Sequence, residues 1–344
     1  MLVSATMLAG SALKRTGAAV KGAIMTAKQA WGGFWLLALI WGSSFLFIRI
    51  GVEQLPPFQL VFIRTGIAAI GLTIVVYLRG KHLPTDWRSV GDLLFLGVVN
   101  TVLPFALITW GETRIESGLA SVLQGTAALF TLVIAHFAFA DERITLRKLA
   151  GLVIGFLGVV VLASRSTAGE SIQNDATMHL LGQVAVIVAS FCYALGGTYG
   201  RKAMQHRLDP IVVAAGSMAV ASVLSGLIAY SAPEFGGAPA ISLGQLTPTV
   251  LGAVLALGLV NTFGAYLIFY PLVSVLGAAR TSMVTYVIPV VGLVLGAIFL
   301  GELVDVRLVI GALMIVGGIG IVNLKLRSFF RWPKAPVPAD TNSV

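Results

Sequence analysis

Few side chains in this sequence could do chemistry in an apolar setting, and most of those are uncharged. Asn100 and Asn261 lie inside hydrophobic runs, with Pro104 four residues after Asn100 and Pro289 four residues after Thr285. A proline inside a helix lacks an amide donor and leaves the carbonyl four residues earlier unpaired. Pro104 therefore frees the carbonyl of Asn100, and Pro289 that of Thr285, near the middle of their runs. Counted along the runs, Gln124, Thr126, Tyr266 and Tyr286 fall at similar depth, and Trp110, Trp41, Phe105 and Tyr193 offer aromatic walls. Such amides, hydroxyls and freed carbonyls suit a ligand carrying both an amine and a carboxylate. The competing role for each asparagine is a tie between two helices, worth ~0.6 kcal/mol on average.

The charged candidates are Arg64, Glu112 and Arg280, read as gating or ion-pair residues. Arg64 lies about two turns inside its run, and its long stem can reach Glu112 or Glu116 at the run's end. Its functional alternative is to bind a substrate carboxylate. Arg280, near the start of a run, is placed to line a mouth. All 14 acids fall at run ends, in loops or in the tail, which disfavours exchange of a cation for a proton at a buried carboxylate. His136, inside a run, reads as a hydrogen-bonded packing residue. There is no His-x-x-x-His pair, no aspartate pair within a run and no Walker loop, so no catalytic residue, metal site or cofactor is expected. The single cysteine, Cys192, excludes an intrachain disulfide.

The elements that position these residues are membrane helices. Hydrophobic residues make up 57% of the chain and charged ones 11%, against about 25% in soluble domains. Apolar runs of roughly twenty residues, long enough to cross a bilayer, fall at 31–50, 58–78, 89–110, 115–139, 146–164, 179–200, 210–230, 249–270, 275–300 and 304–324. Ten spans put both termini on one side. Seventeen of the 23 lysines and arginines fall on that side and four on the other, Arg64 and Arg280 being within spans, so both termini are expected to be cytoplasmic. The net charge of +9 is thereby accounted for by membrane-edge loops, and no nucleic acid is expected.

Three blocks of sequence recur in order. Val99-Asn100-Thr101 returns as Val260-Asn261-Thr262, and Glu142, Gly151 and Gly158 return as Glu302, Gly311 and Gly318. Ser43-Ser44 and Arg49 are echoed by Gly196-Gly197 and Lys202. The predicted architecture is all-α: a basic cytoplasmic leader (1–30), a five-helix repeat (31–164), a periplasmic linker (165–178), a second repeat (179–325) and a cytoplasmic tail (326–344). An odd number of spans per repeat makes the two copies inverted. Glu142 and Glu302, at matched positions, are read as fixing helix ends. The small-residue spacings Gly151-x-x-x-Gly155 and Gly292-x-x-x-Gly296 are read as packing sites within the monomer.

Taken in order, several stretches resemble the drug/metabolite transporter superfamily, specifically its EamA-type ten-helix branch. They are Trp41-Gly42-Ser43-Ser44-Phe45, Pro56-Pro57 with Arg64, Pro104-Phe105-Ala106-Leu107, Trp110-Gly111-Glu112, Ser117-Gly118-Leu119-Ala120-Ser121, Asp141-Glu142-Arg143, Leu276-Gly277-Ala278-Ala279-Arg280, Pro289 and Gly301-Glu302. Where that family often has a proline matching Pro289, this chain has Ala128-Leu129, so helices 4 and 9 are not expected to kink alike. The resemblance implies a transporter, often an exporter, of amino acids or other small metabolites. With no carboxylate at mid-span, a neutral or zwitterionic substrate fits best, moved by alternating access and with weak dependence on pH. A lipid flippase is the alternative within transport, and an intramembrane enzyme the alternative outside it. The expected partners are a small-molecule substrate and the lipid of the cell inner membrane, with the chain a monomer or weak homodimer. Reporter fusions check the orientation: a periplasm-dependent enzyme inserted in 165–178 is expected to be active, and one fused to the tail inactive.

Overall fold

The computed structural model describes residues 27–139, 143–164, 173–204, 208–231 and 239–323. Ten helical spans follow in order: α1 (Ala27–Gly51), α2 (Pro57–Leu78), α3 (Trp87–Gly111), α4 (Ser117–Ala138) and α5 (Leu146–Ala163). Then come α6 (Gln173–Met204), α7 (Pro210–Ser231), α8 (Pro248–Leu276), α9 (Val284–Leu300) and α10 (Val306–Asn323). Eight are long and apolar enough to cross a membrane, and α9 and α10 are shorter apolar helices. The leader lies outside the described residues except for its last four, which already belong to α1. Glu142, most of the linker and the 326–344 tail also lie outside them.

Local chemistry sets the helix limits. Pro57, Pro210 and Pro248 begin α2, α7 and α8, where a missing amide hydrogen costs nothing. Asp86 accepts the Ser89 amide at 2.9 Å and Asp209 the Ile211 amide at 3.1 Å, capping α3 and α7. Gly277 and Gly301 end α8 and α9 with φ of 82° and 66°, left-handed values that favour glycine.

Four spans depart from regular α-helix, and two of them, α3 and α8, carry the repeated asparagines. In α3 the ladder widens to π-type bonds over Val98–Val102, the Leu103 amide donating to the Val98 carbonyl. In α8 it does so over Leu257–Gly264. Each π segment contains its half's asparagine, and in α3 the wider turn absorbs the bond that Pro104 cannot make. One tightened turn interrupts α4, and another stands at the start of α9. The Gly125 and Thr126 amides donate three residues back in one, and those of Met283 and Thr285 in the other. Helix 4 thus breaks without a proline, contrary to the expectation drawn from Ala128-Leu129; Gly125 and Thr126 supply the turn instead, the Thr126 hydroxyl donating to the Leu123 carbonyl at 2.7 Å.

The principal contacts run between the halves. Helix α2 packs on α7, α4 on α9 and α5 on α10, while α1 lies against α8 and α9, and α6 against α3 and α4. Exchanging each of α1 to α5 with the helix five later leaves that pattern unchanged. One buried cluster joins α1, α4, α8 and α9, and a second joins α2 and α7 through Ala68, Leu72, Val76, Ile211, Ala215 and Met218. Large apolar side chains such as Leu157, Val160, Val290 and Ile298 point outward, as lipid-facing surfaces require.

Helices α5 and α10 approach through glycine. A Cβ on Gly151 would lie 2.6 Å from the Gly318 carbonyl oxygen, and one on Gly158 would lie 2.9 Å from that of Gly311. Gly292 and Gly296 admit α4 in the same way, a Cβ there falling 2.4 Å from Ser121 Cβ and 2.9 Å from Ser117 Oγ. These glycines pack within one chain, as expected. Gly151→Ala is expected to lower thermal stability in detergent by about 1–3 kcal/mol by forcing α5 and α10 apart. Gly252→Ala, with open space around the new methyl, is expected to leave the melting curve unchanged or raise it.

Candidate functional site

Arg64 is a buried charge enclosed within the bundle. Its side chain runs inward from α2 and is only 7% exposed. The Nε–H donates to Thr262 Oγ1 of α8 at 2.8 Å, and the Thr262 hydroxyl donates in turn to the Leu257 carbonyl at 2.8 Å. That carbonyl lies five residues back, inside the π segment of α8, so the widened turn both needs the hydroxyl and aims it at Arg64. The guanidinium carbon lies 4.0 Å from the centre of the Phe105 ring of α3. Tyr193 of α6, Tyr266 of α8 and Glu112 lie within its electrostatic reach. Four helices, two from each half, therefore surround one cation.

The expected pairing of Arg64 with Glu112 or Glu116 is not formed. Arg64 makes its hydrogen bond to a neutral hydroxyl, Glu116 faces His179 at 3.6 Å, and neither carboxyl oxygen of Glu112 has a hydrogen-bond partner. The reason is direction: the Arg64 stem turns to the bundle centre instead of snorkelling to the end of its helix. Among the described residues no carboxylate bonds the guanidinium. A hydroxyl and one aromatic face offset only part of the several kcal/mol that burying such a charge costs.

The uncharged candidates separate into distinct roles. Asn261 is 1% exposed, and its Nδ2 donates to the Ile40 carbonyl, to Ser43 Oγ at 2.9 Å and to Ser44 Oγ at 3.2 Å. It ties α8 to α1. Asn100 is half-buried against Gly196 of α6, where a Cβ would come within 2.6 Å of its own. Because Gly196-Gly197 stands where the first half has Ser43-Ser44, Asn100 meets no hydroxyl there. Pro104 and Thr126 are buried, whereas Gln124, Trp110, Tyr266 and Tyr286 are half-buried. Tyr266 stacks on Tyr270 with ring centres 5.7 Å apart, and Trp41 lies 5.5 Å from Phe269. Arg114 lies 5.9 Å from the Trp110 ring, nearer the end of the bundle. Thr285 and Arg280 are exposed on the opposite end's approach to α9, the Thr285 hydroxyl donating to the Ser282 carbonyl at 2.8 Å. His136 accepts the Ile144 amide at 3.3 Å, the packing role expected of it.

Bonds across the halves close the end of the bundle that carries Glu302. Its two carboxylate oxygens accept the Ser117 and Gly118 amides at 2.7 and 2.8 Å, so Glu302 fixes the first turn of α4. Gln59 bonds both backbone groups of Ile241 and Gln54 accepts the Thr247 amide, while within the first half Arg49 donates to the Glu112 backbone carbonyl. At the other end Lys81 pairs with Asp209, and Tyr199 donates to Asp92 at 2.5 Å. Burial pushes the Asp209 carboxyl up, but the Lys81 bond, the Ile211 amide and the charges of Lys81 and Arg79 outweigh it and hold it below the usual value. The Lys81 tie is therefore complete above the ordinary carboxylate range and lost as pH falls through that lowered value.

A bundle of ten apolar spans with a cation enclosed between its two halves defines a polytopic membrane protein with a central polar site. The EamA-like transporter family matches this chain over residues 30–164 and again over 180–324, and the chain belongs to that family. It is a membrane transporter. An uncharacterized transporter of Archaeoglobus fulgidus is 30% identical over 291 residues, covering 84% of this chain and 97% of its own. A protein of Escherichia coli (strain K12) named "Probable amino-acid metabolite efflux pump" is 27% identical over 304 residues, covering 87% and 95%. A solved crystal structure with 19% identity superposes at a TM-score of 0.61 over 87% of this chain and 99% of its own, a likeness of fold.

Thr262 escaped the sequence reading, although the repeated Val-Asn-Thr block contains it. Thr262→Val removes the acceptor for Arg64 and the donor to Leu257. It is expected to destabilise the protein by about 1–3 kcal/mol in thermal denaturation, and Thr262→Ser is expected to restore most of the loss.

Proposed function

We propose that this transporter exports small zwitterionic metabolites, with amino acids the favoured class, as a secondary transporter working by alternating access. The observation that carries the reading is the Arg64 guanidinium, enclosed between the halves with no carboxylate on it among the described residues. A planar guanidinium matches a carboxylate in two parallel hydrogen bonds, and both strengthen away from water. The rings of Phe105, Tyr193 and Tyr266 beside it suit the substrate's amine and aliphatic part. The name of the Escherichia coli relative is consistent with that class.

Alternating access draws support from the packing. The Gly151·Gly318 and Gly158·Gly311 contacts are reciprocal between matched positions of antiparallel helices. A twofold axis lying in the membrane plane generates that arrangement, which is the geometry of inverted repeats. The family's double match is consistent with duplication. With both termini cytoplasmic, as the basic residues indicate, the Glu302 end faces the periplasm and is shut in this conformation, while Arg280 and Thr285 stand exposed toward the cytoplasm. Asn100, Gln124, Trp110, Tyr266 and Tyr286 are the further substrate-facing side chains, and Asn261 supports them from behind.

Counterflow of labelled amino acids in proteoliposomes tests the proposal. Arg64→Met is expected to weaken substrate affinity roughly 10- to 100-fold, the worth of a charged hydrogen-bonded contact, and Arg64→Lys to retain part of it. Normal counterflow by Arg64→Met, or equal transport of amines that lack a carboxylate, would overturn it.

A further inference from the structure

Glu112 has no assigned role in the function proposed above, and it is the acid with the lowest exposure among the described residues. It follows the last residue of α3 and is 0% exposed, although it lies at the end of the bundle. Both carboxyl oxygens are buried without a hydrogen-bond donor. The charged groups facing it are few. From α1, Arg49 uses its guanidinium on the Glu112 backbone carbonyl and not on the carboxyl. From α2, Arg64 is held by Thr262. From the α9–α10 junction comes a like charge, Glu302, fixed by the α4 amides. Beside these, Glu116 at the start of α4 faces His179 of α6. An ionised carboxylate stripped of water, given no donor and set near a second carboxylate is strongly disfavoured, whereas the neutral acid is tolerated.

We propose that closing the Glu302 end of this transporter takes up one proton on Glu112. With that end shut, the carboxyl is a neutral acid sealed beneath the Glu302 tie. When the end opens, water reaches it, the O–H bond breaks, the proton passes to external water and the carboxylate is solvated beside Arg49. The closed state thus holds one proton more than the open one. External acid favours closure, and external alkali favours opening. The proposal departs from the expectation of weak pH dependence, because a group at a span end need not be a solvated one.

The inference rests on the alternating opening proposed above, but its test needs no substrate, so the two stand or fall separately. In a Cys192→Ser background, Thr113→Cys and Val304→Cys carry spin labels on the two sides of the closure, and their separation is measured in nanodiscs as pH is varied. The ratio of wide to narrow separations is expected to rise up to tenfold per pH unit, the slope of a single linked proton. Glu112→Gln, a neutral group of the same shape, is expected to melt like the parent and to stay narrow at every pH. A ratio independent of pH in the parent overturns the proposal. So does pH dependence that survives in Glu112→Gln, or a Glu112→Gln protein that fails to fold, since that would mean the carboxylate is held in its charged form.

Discussion

Everything central in this bundle is arranged around the cost of keeping one guanidinium out of water. Arg64 reaches from α2 toward α3, α6 and α8, and each of those three contributes something beside it: a hydroxyl from α8, an aromatic face from α3, phenol groups from α6 and α8. The Thr262 hydroxyl faces Arg64 because the α8 ladder widens to a π segment there. Helix α2 presents Arg64 inward because its opposite surface packs on α7. The neutralisation is incomplete. An incompletely paired charge inside a membrane protein is a candidate ligand contact, which is the basis of the substrate role proposed for Arg64.

Much of the architecture was legible in the sequence, because bilayer thickness converts directly into run length. Most predicted spans appear within a few residues of their expected places, but the eighth helix runs on to Leu276 and the ninth starts at Val284, nine residues later than its apolar run suggests, because Gly277 ends one helix inside that run. The count of basic loop residues carries the proposed orientation. Which side chains face the centre was less legible. Periodicity says little when a helix is apolar on all sides, as α2 and α7 are, so Arg64 could be assigned a depth but not a direction. Thr262 was hidden for a different reason: its role depends on a π segment, and nothing in Leu257–Gly264 except the recurrence of its block announces one. Asn261 looked equivalent to Asn100 because the two occupy matched blocks; their difference lies in the partners, Ser43-Ser44 against Gly196-Gly197, which only the packing of α1 on α8 and of α6 on α3 brings opposite them.

The two ends of the bundle are built differently. The Glu302 end is held by backbone-directed bonds from Gln54, Gln59, Arg49 and Glu302, whose geometry is sharp and which separate only when whole helices move. The other end relies on Lys81 with Asp209 and Tyr199 with Asp92, contacts between side chains that water can replace. A half-exposed ion pair contributes little to stability and exchanges readily. The end with the backbone-directed closure is also the one that encloses Glu112.

The glycine contact of α5 with α10 has a mechanical side. Backbone meets backbone at Gly151·Gly318 and Gly158·Gly311, with Leu162, Met314 and Val322 packed against the same points. A seam of that kind resists sliding, because displacement along it soon drives a neighbouring side chain into a carbonyl, yet it permits a small rotation about the contact point. The pair also lies apart from the helices around Arg64. In the alternating access proposed above, such a contact would serve as the hinge pin of a door: both leaves stay attached to it, and the opening happens at the far edge.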